Sequence, residues 1–181
     1  QGHLEQPVLR MGQAQGEDIR GRERRIEPGD RSDNVIFDVF VIQDQSAQEI
    51  AQRFEVSHFI HNAGVIWPHL LQDATVDELQ GLTQIHLGSA LTLMQSVLPA
   101  MEKQAFGRVV LMSSRGALGL ATRTNYSAIK AGMIGMARTW ALELAPKGIT
   151  VNVVAPGPIQ TPMFYDVVPS GSEREAKLAA N

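Results

Sequence analysis

Arg108-Val109-Val110-Leu111-Met112-Ser113-Ser114 is a short apolar run that stops on two hydroxyls, and the next regular segment, Thr124 to Leu144, is rich in Ala, Met and Leu. Pro146-Lys147-Gly148 ends that segment, and a second apolar run follows at once, Ile149-Thr150-Val151-Asn152-Val153-Val154. A short buried strand, a long helix and another short buried strand make a βαβ unit, which belongs to a parallel sheet with helices on its faces. Outward from this unit the same alternation recurs. His58 to His61 and Val35 to Val39 read as further strands, and Ser46 to Phe54 as a modest helix. Thr75-Val76-Asp77-Glu78 has the capping-box pattern, Thr at N-cap and Glu at N3. It predicts a helical segment reaching about Lys103, with Pro99 bending or shortening its last turns. The expected fold class is α/β with a doubly wound parallel sheet.

Residues 1 to 34 break the pattern. Gly, Gln, Glu, Asp and Arg dominate, the run Arg20-Gly21-Arg22-Glu23-Arg24-Arg25 is all charge and glycine, and no apolar period persists. The chain therefore divides into a divergent or disordered tail, 1 to 34, and a domain, 35 to 181.

Composition removes several functions. With 181 residues, 44% hydrophobic and 19% charged, the chain suits one globular domain and excludes fibrous or wholly disordered readings. Sixteen Lys and Arg against nineteen Asp and Glu give a net charge of -3, so no basic field points to nucleic acid. The absence of Cys excludes disulfides, thiolate metal sites and a cysteine nucleophile. The apolar stretches are too short or interrupted to span a bilayer, and Gln1 to Arg10 lacks the apolar core of a signal peptide. A cytoplasmic location without a membrane partner is expected.

Tyr126 and Lys130 stand four apart on the helix predicted from Thr124, so both occupy one face. A cation within about 4 to 6 Å of a phenol favours the phenolate and draws its pKa toward the working pH. The pair can then move a proton at a carbonyl or alcohol centre. The same spacing also occurs in ordinary helices, with the Tyr packed and the Lys solvated.

Three further segments accompany it. Ser113-Ser114 end a strand before Asn125-Tyr126-Ser127-Ala128-Ile129-Lys130, His61-Asn62-Ala63-Gly64 end another, and Pro156-Gly157-Pro158-Ile159-Gln160-Thr161 follow a third. Together, from about Val35 to Asn181, they resemble the short-chain dehydrogenase/reductase family, whose signatures are Tyr-x-x-x-Lys with an upstream Ser, Asn-Asn-Ala-Gly and Pro-Gly-x-x-x-Thr. Gly107 to Met163 looks most like its 3-oxoacyl-carrier-protein reductase branch.

The resemblance implies a Rossmann-like fold that here lacks the first βαβ units and the last strand. It also implies a nicotinamide cofactor, NADP or NAD, and a small carbonyl or alcohol substrate, with a fatty-acid-biosynthesis acyl-carrier-protein thioester as the specific guess. Tyr126 would be the general acid, Lys130 would hold the nicotinamide ribose and lower the Tyr pKa, and Ser114 would hydrogen-bond the reacting oxygen. Ser113 is the rival for that last role: it lies thirteen residues before Tyr126 and Ser114 twelve. Asn62, Ala63 and Gly64 would border the adenosine side of the cofactor, near Asp38. Pro156, Gly157, Ile159 and Thr161 would serve the carboxamide and phosphate end. Trp67, Arg115, Met163 and Phe164 would line the substrate pocket. A homo-oligomer, a homotetramer in the family pattern, would form through the helices starting near Thr75 and Thr124.

The departures concern the N-terminus and two histidines. The family's Thr-Gly-x-x-x-Gly-x-Gly turn has only Met11-Gly12-Gln13-Ala14-Gln15-Gly16-Glu17-Asp18 as a counterpart, and Gly12 and Gly16 are read as coincidence. His86 stands where the family usually has an Asn on a helix, and reads either as a proton relay or as a tolerated polar residue. His61 replaces the first Asn of Asn-Asn-Ala-Gly and reads as structural. Two functions follow from different classes: an NAD(P)-dependent oxidoreductase, or an inactive remnant that has lost dinucleotide binding and keeps an oligomerisation surface. Cofactor binding discriminates them.

Overall fold

The structure, a computed structural model, describes residues 8–10, 54–165 and 168–179 of the chain. The expected strand Val35 to Val39, the expected helix Ser46 to Phe54 apart from Phe54 itself, and Gly12, Gly16 and Asp38 lie outside those residues.

Among the described residues four strands form one sheet: β1 (Val8–Arg10), β2 (His58–His61), β3 (Gly107–Met112) and β4 (Ile149–Val154), in the spatial order β1-β2-β3-β4. Every neighbouring pair is parallel, with Val8 opposite His58, Phe59 opposite Val109 and Val109 opposite Val151. The α/β parallel fold is thus the one expected. β1 corrects the reading of residues 1 to 34 as tail throughout. A three-residue strand is too short to carry an apolar period, and only the backbone of β2, which pairs with it along His58, Phe59 and Ile60, marks it as a strand.

Between β2 and β3 the chain forms α1 (Val76–Thr83), a π-helical turn (Gln84–Gly88) and α2 (Ser89–Lys103). The capping box is present: the Thr75 hydroxyl accepts from Glu78 N at 3.2 Å, and the Glu78 carboxylate accepts from Thr75 N at 3.4 Å. The single helical segment expected here is therefore interrupted by the π-turn. Pro99, expected to bend or shorten the end, lies inside α2, which runs on to Lys103. Pro99 and Gln95, whose carbonyl loses its α-helical donor, are both exposed, while Val97 and Met101 hold the buried face.

After β3, a short 3-10 turn (Arg115–Leu118) leads to α3 (Thr124–Leu144), with the bounds expected. Its buried residues Ile129, Lys130, Met133, Ala137, Trp140 and Leu144 follow one helical face. The helix stops through Gly148, in the left-handed region at φ 74°. A Cβ there would stand 2.1 Å from the Ala105 carbonyl oxygen, so no side chain fits. Phe59, Val109, Leu111 and Ile149 from the sheet pack with Leu93, Val97 and Met101 of α2 and with Met133, Trp140 and Leu144 of α3 in one core. Two short helices follow β4, α4 (Pro162–Tyr165) and α5 (Glu173–Ala179). Among the described residues, no helix is long and apolar enough to cross a membrane.

Candidate active site

Parallel strands deliver their C-terminal ends to one edge, where open α/β sheets bind ligands. Here the ends of β2, β3 and β4 border a cleft of about 520 Å³ whose lining includes Asn62, Gly64, Ser113, Ser114, Tyr126, Lys130, Pro156, Gly157, Ile159, Thr161 and Phe164. Nearly every residue singled out from the sequence is therefore in one place. Of the catalytic and cofactor-binding residues expected from the resemblance, Ala63 is the exception: its side chain is buried in the core. Of the expected substrate-pocket residues, Phe164 lines the cleft, whereas Trp67 and Arg115 are exposed and stand outside its lining.

The two serines separate by geometry. Successive residues leaving a strand point in opposite directions, so only one of them faces the tyrosine. The Ser113 hydroxyl is buried and donates to the Lys130 carbonyl at 2.8 Å. The Ser114 hydroxyl accepts from Gly116 N at 3.0 Å and stands near enough to the Tyr126 phenol to lower its pKa. Gly116 makes this approach possible, since a Cβ on it would lie 3.2 Å from Tyr126 Cε1.

Lys130 is 5% exposed, its ammonium donates to the Met112 carbonyl at 2.7 Å, and it lies 5.6 Å from the centre of the Tyr126 ring. Burial draws its pKa down to about 8. Burial also pushes the Tyr126 phenol up, against the Ser114 hydrogen bond and the Arg123 charge, which pull it down. The lowering of the Tyr pKa expected from Lys130 is not what sets it: desolvation dominates, Ser114 and Arg123 oppose it, and the phenol stays protonated.

Sequence reasoning does not single out Ile66, which lines the cleft, or Gly116 and Arg123, which stand beside Tyr126. Arg123 is buried and placed at the N-cap of α3, where the helix dipole disfavours a cation, with no acidic residue in the first turn. That misplaced charge was the signal available. His86 lines the cleft and is fully buried, with Nε2 3.0 Å from Val65 O and its ring edge-on to Tyr126 at 6.0 Å. Burial, and then the charge of Lys130, lower its pKa to about 3, so it is neutral at physiological pH.

Several known proteins are similar to this chain. The chain is 42% identical over 110 residues to the 3-oxoacyl-(acyl-carrier-protein) reductase FabG of Salmonella typhimurium, over 60% of this chain and 45% of that protein. It is 39% identical over 118 residues to FabG of Thermotoga maritima, over 64% of this chain and 48% of that protein. The chain spans about half the length of the curated relatives it matches. A solved structure from Beutenbergia cavernae, described provisionally as an NAD(P)-dependent gluconate 5-dehydrogenase with NADP bound at low occupancy, superimposes with a TM-score of 0.73. It is 26% identical and covers 82% of this chain and 62% of that one. The family described as short chain dehydrogenase matches residues 36–170, a stretch that contains every cleft residue named above. On that match and that cleft, the chain belongs to the short chain dehydrogenase family.

Proposed function

We propose that this chain carries the catalytic centre of an NAD(P)-dependent reductase that interconverts a carbonyl and an alcohol, with a 3-oxoacyl thioester as substrate. One observation carries the reading: a half-buried, protonated Tyr126 lines an open cleft with Ser114, beside the ammonium of Lys130. The substrate class rests on the names of the relatives.

The residues present fit a nicotinamide cofactor. Lys130 spends one donor on Met112 and has others to offer to ribose hydroxyls. Gly157 leaves open wall, since a Cβ on it would meet nothing within 4 Å. Asn62, Gly64, Pro156, Ile159 and Thr161 complete the lining that would hold the cofactor. When bound, the cofactor supplies or accepts the hydride. The chain's own residues handle the proton. Ser114 and Tyr126 hydrogen-bond the carbonyl oxygen, and the Tyr126 O–H bond breaks as that oxygen takes the proton. The negative charge left on the Tyr126 oxygen is held by the Ser114 hydroxyl and the cations Lys130 and Arg123, in a site where burial strengthens each interaction. Solvent then returns a proton to Tyr126. Self-association belongs to the same reading, supported by Leu91 on α2 and Leu142 on α3, both exposed.

The test is titration of the chain with NADPH and with NADH, followed by nicotinamide fluorescence, and then turnover of an acetoacetyl thioester. Saturable binding weakened by Lys130→Ala, and turnover abolished by Tyr126→Phe, are expected. No binding at millimolar cofactor would overturn the reading in favour of an inactive remnant.

A further inference from the structure

The π-turn at Gln84–Gly88 has an unusual wiring. In an α-helix the Ser89 N–H would bond the Ile85 carbonyl; here it bonds Gln84 O, one residue further back. The Ile85 carbonyl is taken instead by the Ser89 hydroxyl. That hydroxyl, its proton spent on Ile85, accepts a hydrogen bond from His61 Nε2 at 2.9 Å. His61 is fully buried at the end of β2, and its other ring nitrogen, Nδ1, has no partner among the described residues. The one polar contact of this imidazole is therefore the bond that steadies Ser89.

The consequence falls on the cleft. The π-turn carries His86, whose Nε2 lies 3.0 Å from Val65 O and 3.2 Å from Val65 N, and whose ring stands edge-on to Tyr126. The backbone at Gly64 closes the other side, where even a Cβ would lie 2.5 Å from His86 Cε1. If Ile85 regained the Ser89 N–H, the turn would lose its extra residue per turn and rotate His86 away from the phenol. We propose that His61 is a positioning residue: through Ser89 it holds the π-turn open and so keeps His86 wedged between Gly64 and Tyr126. This rests on Tyr126 being the reacting group. The groups facing that phenol are Ser114 beyond β3, Lys130 and Arg123 on and before its own helix, and His86 on the π-turn.

The chain has two tyrosines, so a Tyr165→Phe background leaves Tyr126 as the sole phenol for ultraviolet titration. In that background His61→Phe keeps the ring without the donor, His61→Gln keeps a donor near the Nε2 position without the ring, and Ser89→Ala removes the hydroxyl. Loss of the His86 wedge admits water to a phenol that burial now holds up. His61→Phe and Ser89→Ala are therefore expected to lower the Tyr126 midpoint by about half a pH unit or more, with His61→Gln restoring it. If both leave the midpoint unmoved while only the urea midpoint falls, or if His61→Gln behaves like His61→Phe, the proposal is overturned. Should His61→Phe fail to fold, Ser89→Ala decides alone. Turnover measured on the parent chain separates the two readings: a shifted phenol without turnover sinks the reductase reading, and turnover with an unmoved phenol sinks the positioning role.

Discussion

Ser113 and Lys130 are joined by a hydrogen bond that uses no functional atom of the lysine: the Ser113 hydroxyl donates to the Lys130 backbone carbonyl at 2.8 Å, while the Lys130 ammonium donates to Met112 O at 2.7 Å. The end of β3 and the second turn of α3 are thereby crossed over each other. The lysine is held at both its backbone and its tip, in line with the tyrosine.

This pairing predicts distinct phenotypes for adjacent serines. Ser113→Ala loses a buried bond inside the scaffold and should cost about 1 kcal/mol of stability, read as a lower urea midpoint. Ser114→Ala should also cost about 1 kcal/mol, through the Gly116 N–H it leaves unpaired, and should in addition lower kcat by about 10²-fold, as for loss of one donor to the reacting oxygen. A kcat loss in Ser113→Ala and not in Ser114→Ala would assign the reacting hydroxyl to Ser113.

Lys130 gives stability a rising pH dependence. Its pKa is about 8 in the folded chain against 10.5 for the free side chain, so between those values the unfolded chain binds the extra proton. Stability therefore increases from about pH 8 upward. Urea titrations at pH 8.0 and 9.5 should show this increase in the parent and not in Lys130→Met.

The two buried histidines act at the other end of the scale. Burial holds both His61 and His86 neutral, with pKa values of about 3 against 6.5 for the free side chain. The stability this contributes is complete above pH 6.5 and is lost as pH falls toward 3, because unfolding takes up the protons. The pH slope of unfolding free energy near pH 5 should fall by about one proton in His86→Asn.

Gly64→Ala places a Cβ 2.5 Å from His86 Cε1, on a ring pinned by Val65 and backed by Tyr126. The overpacking should cost about 1 to 3 kcal/mol. Adding His86→Ala should recover most of that loss, a strong non-additivity read by a double-mutant cycle.

Arg123 holds the Tyr126 phenol down by its charge. Arg123→Gln should therefore raise the ultraviolet titration midpoint of Tyr126 in the Tyr165→Phe background, opposite in sign to the effect expected of Ser89→Ala. An unmoved midpoint would mean that solvent screens the pair.

Local signals made the frame legible. Thr75 and Glu78 announce α1 because a capping box is satisfied within four residues, and α3 ends at Pro146-Lys147-Gly148 because left-handed backbone at Gly148 is a property of the residue itself. Tyr126 and Lys130 were found because helical spacing places them on one face whatever the rest of the chain does. Neither β1 nor the π-turn was legible. Val8–Arg10 becomes a strand only where β2 offers an edge, and the break at Gln84–Gly88 depends on a histidine from β2 reaching Ser89, 28 positions away.

By itself, then, the sequence determined the βαβ alternation, the order of the motifs and the residues that meet at the ends of the strands, since period, capping and turn chemistry act over a few neighbouring positions. The tertiary structure alone decided which serine stands by the phenol, that desolvation raises the Tyr126 pKa, that Ala63 belongs to the core, and that Arg123 and His86 border Tyr126. Each of these is set by burial and by contacts between distant segments, and no local pattern of residues encodes how much water a folded chain excludes.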